Sequence, residues 1–284
     1  MTEPRPVLIT GDLFRALHGH LLALLDGLTP DDWQRPTVCS LWCVKDVAAH
    51  LLDGDLRRLS MQRDGYVSPR APRGFDSPGA LLDYLHRLNA DWTRAADRLS
   101  PRVLTALLAA SGAEAAALFD AVDPFGPATF PVAWAGESSS PMWFDLAREY
   151  TERWHHQRQI ALAVGRETPI DARRFYHPVL DTFLRALPFT YRGVAAPTGA
   201  SVRVEVVGEA GGSWRLRRGD DGWALGLDDG CDADAAVVIP QGVAWRLFTK
   251  RTDRQTALAR FPEVRVEGDA ELGGHVLEMV SIMA

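Results

Sequence analysis

The apolar residues of this 284-residue chain change their period once. Up to about residue 190 they recur every three or four positions, as on the buried stripe of a helix. Beyond 200 they alternate, as on a strand with one buried face. A chain that switches period in this way folds as helices followed by a sheet-containing region, which is the α+β class. The connector GVAAPTGAS, residues 193–201, is made of small residues, Gly and Pro, and suits an exposed linker. The expected domains are a helical one over 1–192 and a small α+β one over 200–284.

Within the first domain the stripe Leu13, Leu17, Leu21, Leu24 and Leu28 predicts a helix from Asp12 to Gly27. In TPDDW, Thr29 is the expected N-cap and Pro30 the first position of a short helical turn. Ser40 is the expected cap of a helix over roughly 41–61, with Val44, Val47, Ala48, Leu51 and Leu52 inward. Ser77 before Pro78 opens another helix to Leu99, and one from Pro141 to Val164 stops at Gly165. Residues 101–140 begin Ala-rich and then lose their period at DPFGPATFPVAWAGESSS, which predicts one more helix and a long loop of the kind that serves as a lid or specificity element. A last helix spans 171–187.

Past the connector, SVRVEVVG, SWRLRRG, GWALGL, DAAVVIP and VRVEGD read as strands of an antiparallel sheet, with GEAGG at 208–212 as a hairpin turn. GVAWRLFTK and ELGGHVLEMVSIMA carry helical spacing.

Composition removes several function classes. A formal charge of −6 and a pI near 5.8 provide no field to gather nucleic acid. The N-terminal residues lack a charged segment followed by an apolar one, and no window approaches 18 uninterrupted apolar residues, so a cytosolic protein without a membrane partner is expected. Cys39, Cys43 and Cys231 read as thiols. The CxxxC pair has no second Cys or His pair nearby in sequence, and a structural zinc site there is not expected. GESSS at 136–140 is not a nucleophile elbow, and GEAGG does not precede a helix, so neither covalent hydrolysis nor a nucleotide cofactor is implied.

The stretch EYTERWHHQRQ, residues 149–159, carries the chemistry. Glu152 and His156 stand one turn apart on a helix and share a face, with Asp145 and Gln159 on it and Glu149 at its edge. Trp143, Ala147, Tyr150, Trp154 and Ala161 form the opposite, apolar side. One reading is a solvated polar face. The other is a chelate, because a carboxylate and an imidazole at i, i+4 converge on one ion without backbone strain. His50, on a helix with little other polarity, is the candidate third ligand; a satisfied histidine at the edge of a core is the alternative. His155 is also within reach of Glu152 through an i, i+3 pairing. Trp134, Trp143 and Trp154 serve either as core or as the lining of an apolar pocket.

LWCVKDVAAHLLDGD, preceded by a PT-containing stretch and a short helix with Trp33, resembles the first metal-ligand helix of the DinB-like superfamily. The closer likeness is to the mycothiol-dependent maleylpyruvate isomerase family, whose later helix supplies Glu-x-x-x-His, matched here by TERWHHQRQI. The likeness covers most of the chain, since that family joins a DinB-like four-helix bundle to a C-terminal sterol-carrier-like α+β domain.

The resemblance implies that His50, Glu152 and His156 bind one divalent ion, zinc being the expected one, with open positions left for water or substrate, and that His155 stands behind the ligands. It implies mycothiol or another low-molecular-weight thiol as cosubstrate, added to a conjugated double bond and later eliminated in an isomerase, or passed to an electrophile in a transferase. The partners implied are a small-molecule substrate and the thiol. The family's C-terminal domain contributes an arginine for a substrate carboxylate, a place taken here by Arg251 or Arg254 in FTKRTDRQ. The rival expectations are a non-enzymatic binding protein for a lipid or other small molecule and a metal-dependent hydrolase.

Overall fold

In the computed structural model, which describes residues 6–72 and 74–282, the first helices begin where short polar side chains can take their free N–H groups. Thr10 Oγ1 accepts from Leu13 N at 3.2 Å and starts α1 (Gly11–Asp26). Thr29 and Asp32 cap each other reciprocally, Asp32 N donating to Thr29 Oγ1 and Thr29 N to Asp32 Oδ2, and the TPDDW turn is a single 3-10 turn, Asp32–Gln34.

Helix α2 (Val44–Arg58) starts later than a Ser40 cap would place it. Residues 36–43 form a tight loop instead: Trp42 N donates to Cys39 O, Thr37 Oγ1 donates to Trp42 O, and Pro36 bridges Cys43. The helix begins only where Asp46 reaches back to accept from Cys43 N at 3.0 Å. Ser77 starts α3 (Pro78–Ala96), Ser100 starts α4 (Pro101–Ala121), and α5 covers Met142–Ala163.

The chain folds into two units, and the division runs through α5. One unit is Ile9–Asp123 with Glu152–Ile170; the other is Met1–Leu8, Pro124–Thr151 and Asp171–Ala284. The core of the helical unit takes Leu21 and Leu25 from α1, Val44, Val47, Ala48 and Leu52 from α2, Leu104 and Leu108 from α4, and Ile160 from α5. Each fully buried aliphatic of this kind stabilises by about 1.5–3 kcal/mol. Helix α4 is the one described helix long and apolar enough to cross a membrane by length and composition; its inner face, Leu104, Leu108, Ala115 and Ala116, is buried within the unit.

A polar seam crosses that apolar interior. Arg153 of α5 ion-pairs with Asp55 of α2, and both side chains are 1% exposed. Ser111 of α4 donates to Asp55 Oδ2 at 2.8 Å, and Arg153 Nη1 lies 2.9 Å from Nδ1 of His18 on α1. Burial, and then the charge of Arg153, push the His18 imidazole down to about 3, so His18 is neutral and accepts from the guanidinium. Its ring lies close against α4 at Gly112, where a Cβ would fall 2.2 Å from His18 Nε2.

The second unit contains α6 (Arg173–Leu184), the one-turn α7 (Leu187–Thr190), β1 (Ser201–Val207), β2 (Gly212–Arg218), β3 (Trp223–Leu227), β4 (Ala235–Pro240), α8 (Gln241–Phe248), α9 (Arg254–Arg260), β5 (Arg265–Gly268) and α10 (Ala270–Gly274). The strands form one sheet in the order β3-β2-β1-β4-β5. GEAGG is the β1–β2 hairpin turn, closing at Val206 opposite Gly212.

The sheet is mixed rather than antiparallel, because β1 and β4 run parallel. The cause is the loop after β3, which carries the chain across from one edge of the sheet. Arg215 of β2, fully buried, clamps that loop through Asp228 at 2.8 Å, Asp229 at 2.9 Å and the carbonyl of Asp232 at 3.0 Å. The long helix expected over ELGGHVLEMVSIMA is shorter. Residues 270–274 are α-helical and His275–Glu278 form a 3-10 turn, the break falling after Gly273 and Gly274; residues 283 and 284 lie outside the described residues.

Candidate metal centre

The centre is made by two helices of the helical unit. His50 lies midway along α2, and α5 supplies Glu152 and His156 one turn apart. One ligand atom from each of the three residues lies within 4.8 Å of the others. His156 Nε2 is 3.4 Å from Glu152 Oε2, and the His50 and His156 rings meet edge to face with centroids 4.8 Å apart.

The polar face of α5 is not solvated. His155, His156 and Gln159 are all buried, Glu152 keeps about a quarter of its side chain exposed, at 27%, and Glu149 at the edge of the face is half-buried. Across the helix Tyr150, Trp154 and Ala161 are buried as well, so α5 is enclosed on both sides. Trp154 and Trp134 are core residues, and Trp143 is half-buried, stacked on Phe144 and overlaid by Arg185.

The charges of the cluster follow from this enclosure. Burial, joined by the neighbouring His156, holds the His50 imidazole well below its ordinary range and therefore neutral. Burial pushes the Glu152 carboxyl up, but the neighbouring imidazoles of His155 and His156 outweigh it, and the group stays ionised below the usual carboxylate range. A carboxylate with two imidazoles able to present lone pairs is a donor set for a divalent ion such as zinc. The fold also leaves His50 Nδ1 buried without a hydrogen-bond partner among the described residues. These are the features of residues that fit a cation.

Behind the three residues is a layer of which sequence reasoning assigned His155 alone. Trp42, from the loop before α2, packs on His50 at 4.8 Å and on His156 at 6.1 Å between ring centroids. Gln159 Oε1 lies 2.9 Å from His156 Nδ1 and also accepts from Cys39 Sγ at 3.4 Å. The His155 ring is tilted against that of His156, with centroids 4.0 Å apart, and His155 is not one of the three residues whose ligand atoms converge. The i, i+3 step from His156 to Gln159 was visible in the sequence; the Trp42 and Cys39 contacts depend on a loop that carries no periodic signal.

Arg251 and Arg254 belong to the other unit. There Arg254 ion-pairs with Glu278 at 2.9 Å and Arg251 Nε donates to Thr249 O at 3.0 Å. In the helical unit itself, Arg57 is a cation felt by His50, with its Nε 2.9 Å from Asp53.

An α+β chain whose helical part gathers two histidines and a glutamate with metal-ligand chemistry defines a class. Within it the assignment is specific: a sequence model of the mycothiol maleylpyruvate isomerase N-terminal domain matches residues 14–161, more than half of the chain and all three residues of the cluster, and the chain belongs to that family. The crystal structure of the mycothiol-dependent maleylpyruvate isomerase is similar in fold, with a TM-score of 0.54 at 12% identity over 90% of this chain and 91% of that one. A histidine-to-alanine mutant of that isomerase gives a TM-score of 0.53 over the same shares, also at 12% identity. A search of curated proteins finds no match.

Proposed function

We propose that this protein is a metal-dependent isomerase or transferase of the mycothiol-dependent maleylpyruvate isomerase type, cytosolic, with zinc held by His50, Glu152 and His156 and with mycothiol or another low-molecular-weight thiol as cosubstrate. The observation that carries the reading is the convergence of three ligand atoms from two helices within 4.8 Å, inside the stretch that matches the family. A divalent ion bound by three protein ligands keeps positions open and holds a coordinated thiol as its thiolate at neutral pH. The chain's own residues do the rest of the work described here. Trp42 covers the His50 and His156 rings on one side and limits water there, and Glu152, with 27% of its side chain exposed, faces the approach.

Arg251 and Arg254 enter the proposal as cations for a substrate carboxylate, and Arg254 must release Glu278 to serve. The helical region over 1–192 is read as a DinB-like four-helix bundle and 200–284 as a sterol-carrier-like domain. The cleft of that second region beside residues 193–200 is lined by Val194, Pro197 and Leu272 as well as by Asp234, Asp269, Glu271 and His275.

The reading is tested by loading the native protein with cobalt and titrating a low-molecular-weight thiol. A sulfur-to-cobalt charge-transfer band that saturates at one thiol per chain is the expected result. Cobalt-loaded protein that develops no such band, with hydrolysis as its only catalysed reaction, would sink the thiol chemistry in favour of an activated water.

A further inference from the structure

We infer that Gln159 is the positioning residue of the cluster: its carboxamide oxygen keeps the proton of His156 on Nδ1, so that Nε2 presents a lone pair beside Glu152 and His50. The consequence for metal binding rests on the function proposed above; the placement of the proton does not.

Two acceptors compete for the single proton of a neutral His156 imidazole. The Glu152 carboxylate stands 3.4 Å from Nε2, and Gln159 Oε1 stands 2.9 Å from Nδ1. If the proton sat on Nε2, it would point at Glu152 and close the very nitrogen that converges with the other two residues. Both oxygens only accept, and the proton belongs on Nδ1 because Gln159 Oε1 stands at hydrogen-bond length, 2.9 Å, whereas the Glu152 oxygen at 3.4 Å lies beyond it.

That orientation of the carboxamide is itself held. Cys39 Sγ donates to the same Oε1 at 3.4 Å, so both lone pairs of one oxygen are used, and turning the amide over would aim its NH2 group at two donors. Gln159 is 1% exposed, so water has no access to take over the acceptor role. The loop residue and the α5 residue thus fix one imidazole tautomer between them, which is how partners behind a metal-binding histidine commonly set its orientation and basicity.

The test compares the native chain with Gln159→Leu and Gln159→Glu, first without metal. Nitrogen-15 NMR of the histidine rings at mildly alkaline pH reads the His156 tautomer, assigned by its loss in His156→Gln. The native chain and Gln159→Glu should both carry the proton on Nδ1, whereas Gln159→Leu should move it to Nε2, toward Glu152. Zinc affinity by chelator competition should then fall about 10–100-fold in Gln159→Leu and be restored in Gln159→Glu. The glutamate rescue separates positioning from mere packing, because it restores the acceptor at nearly the same volume. An unchanged tautomer in Gln159→Leu overturns the inference whether or not the chain binds metal. A tautomer that moves as stated in a native chain that binds no zinc supports the inference while overturning the proposed function.

Discussion

Asp55→Ala should lower the unfolding free energy by about 3–5 kcal/mol, the usual cost of leaving one member of a buried ion pair without its partner. The guanidinium it abandons belongs to Arg153, which is 1% exposed and has an apolar neighbour in Phe14, whose ring lies 4.5 Å from the guanidinium carbon. His18 is neutral and offers only a lone pair, and Ser111 is left with the longer bond to Leu108 O at 3.3 Å. Against a total stability of about 5–15 kcal/mol this loss is a large share. The double variant Asp55→Ala/Arg153→Met should recover a good part of it, because removing both charges also removes the desolvation problem. Urea denaturation of the single and double variants checks this. A single variant within about 1 kcal/mol of the native protein would mean that the seam is not holding α1, α2, α4 and α5 together.

His50→Ala should do the opposite: weaken metal binding severely and leave the fold nearly intact. A four-ligand zinc site is worth roughly 10–16 kcal/mol, or about 2.5–4 kcal/mol per ligand, and so removing one ligand of three costs on the order of 10²–10³-fold in affinity. The fold loses little because His50 Nδ1 has no hydrogen bond to forfeit; what goes is the contact of its ring with Trp42 and His156. Competition with a chromophoric chelator measures the affinity, and thermal unfolding of the metal-free chains controls for structure. Equal affinity in native and His50→Ala protein would remove α2 from the centre.

The two variants separate what was legible in the sequence from what was not. The Glu152–His156 pair could be read because an i, i+4 step is a local property of one helix. His50 stood out as the polar residue of an otherwise apolar stretch. Nothing local indicates that Asp55 and Arg153, 98 residues apart, neutralise each other in an apolar interior. Charges in a helical pattern read as a solvated face, and the same habit left the burial of His155, His156 and Gln159 open. The helix start at Ser77 followed from capping chemistry, whereas the Ser100 cap of α4 was not read and the start of α2 slid to Val44 because Asp46, not Ser40, supplies the cap. The strands could be located by alternation. The parallel pairing of β1 with β4 could not, since it depends on Arg215 pinning a loop more than ten residues away in the chain.

If α2 and α5 build one divalent-metal centre, elemental mass spectrometry of untagged protein purified without chelator, with His156→Ala alongside, detects it. About one zinc or other divalent ion per native chain and none in His156→Ala is the expected result. A folded native chain without metal, or equal metal in both proteins, would contradict it.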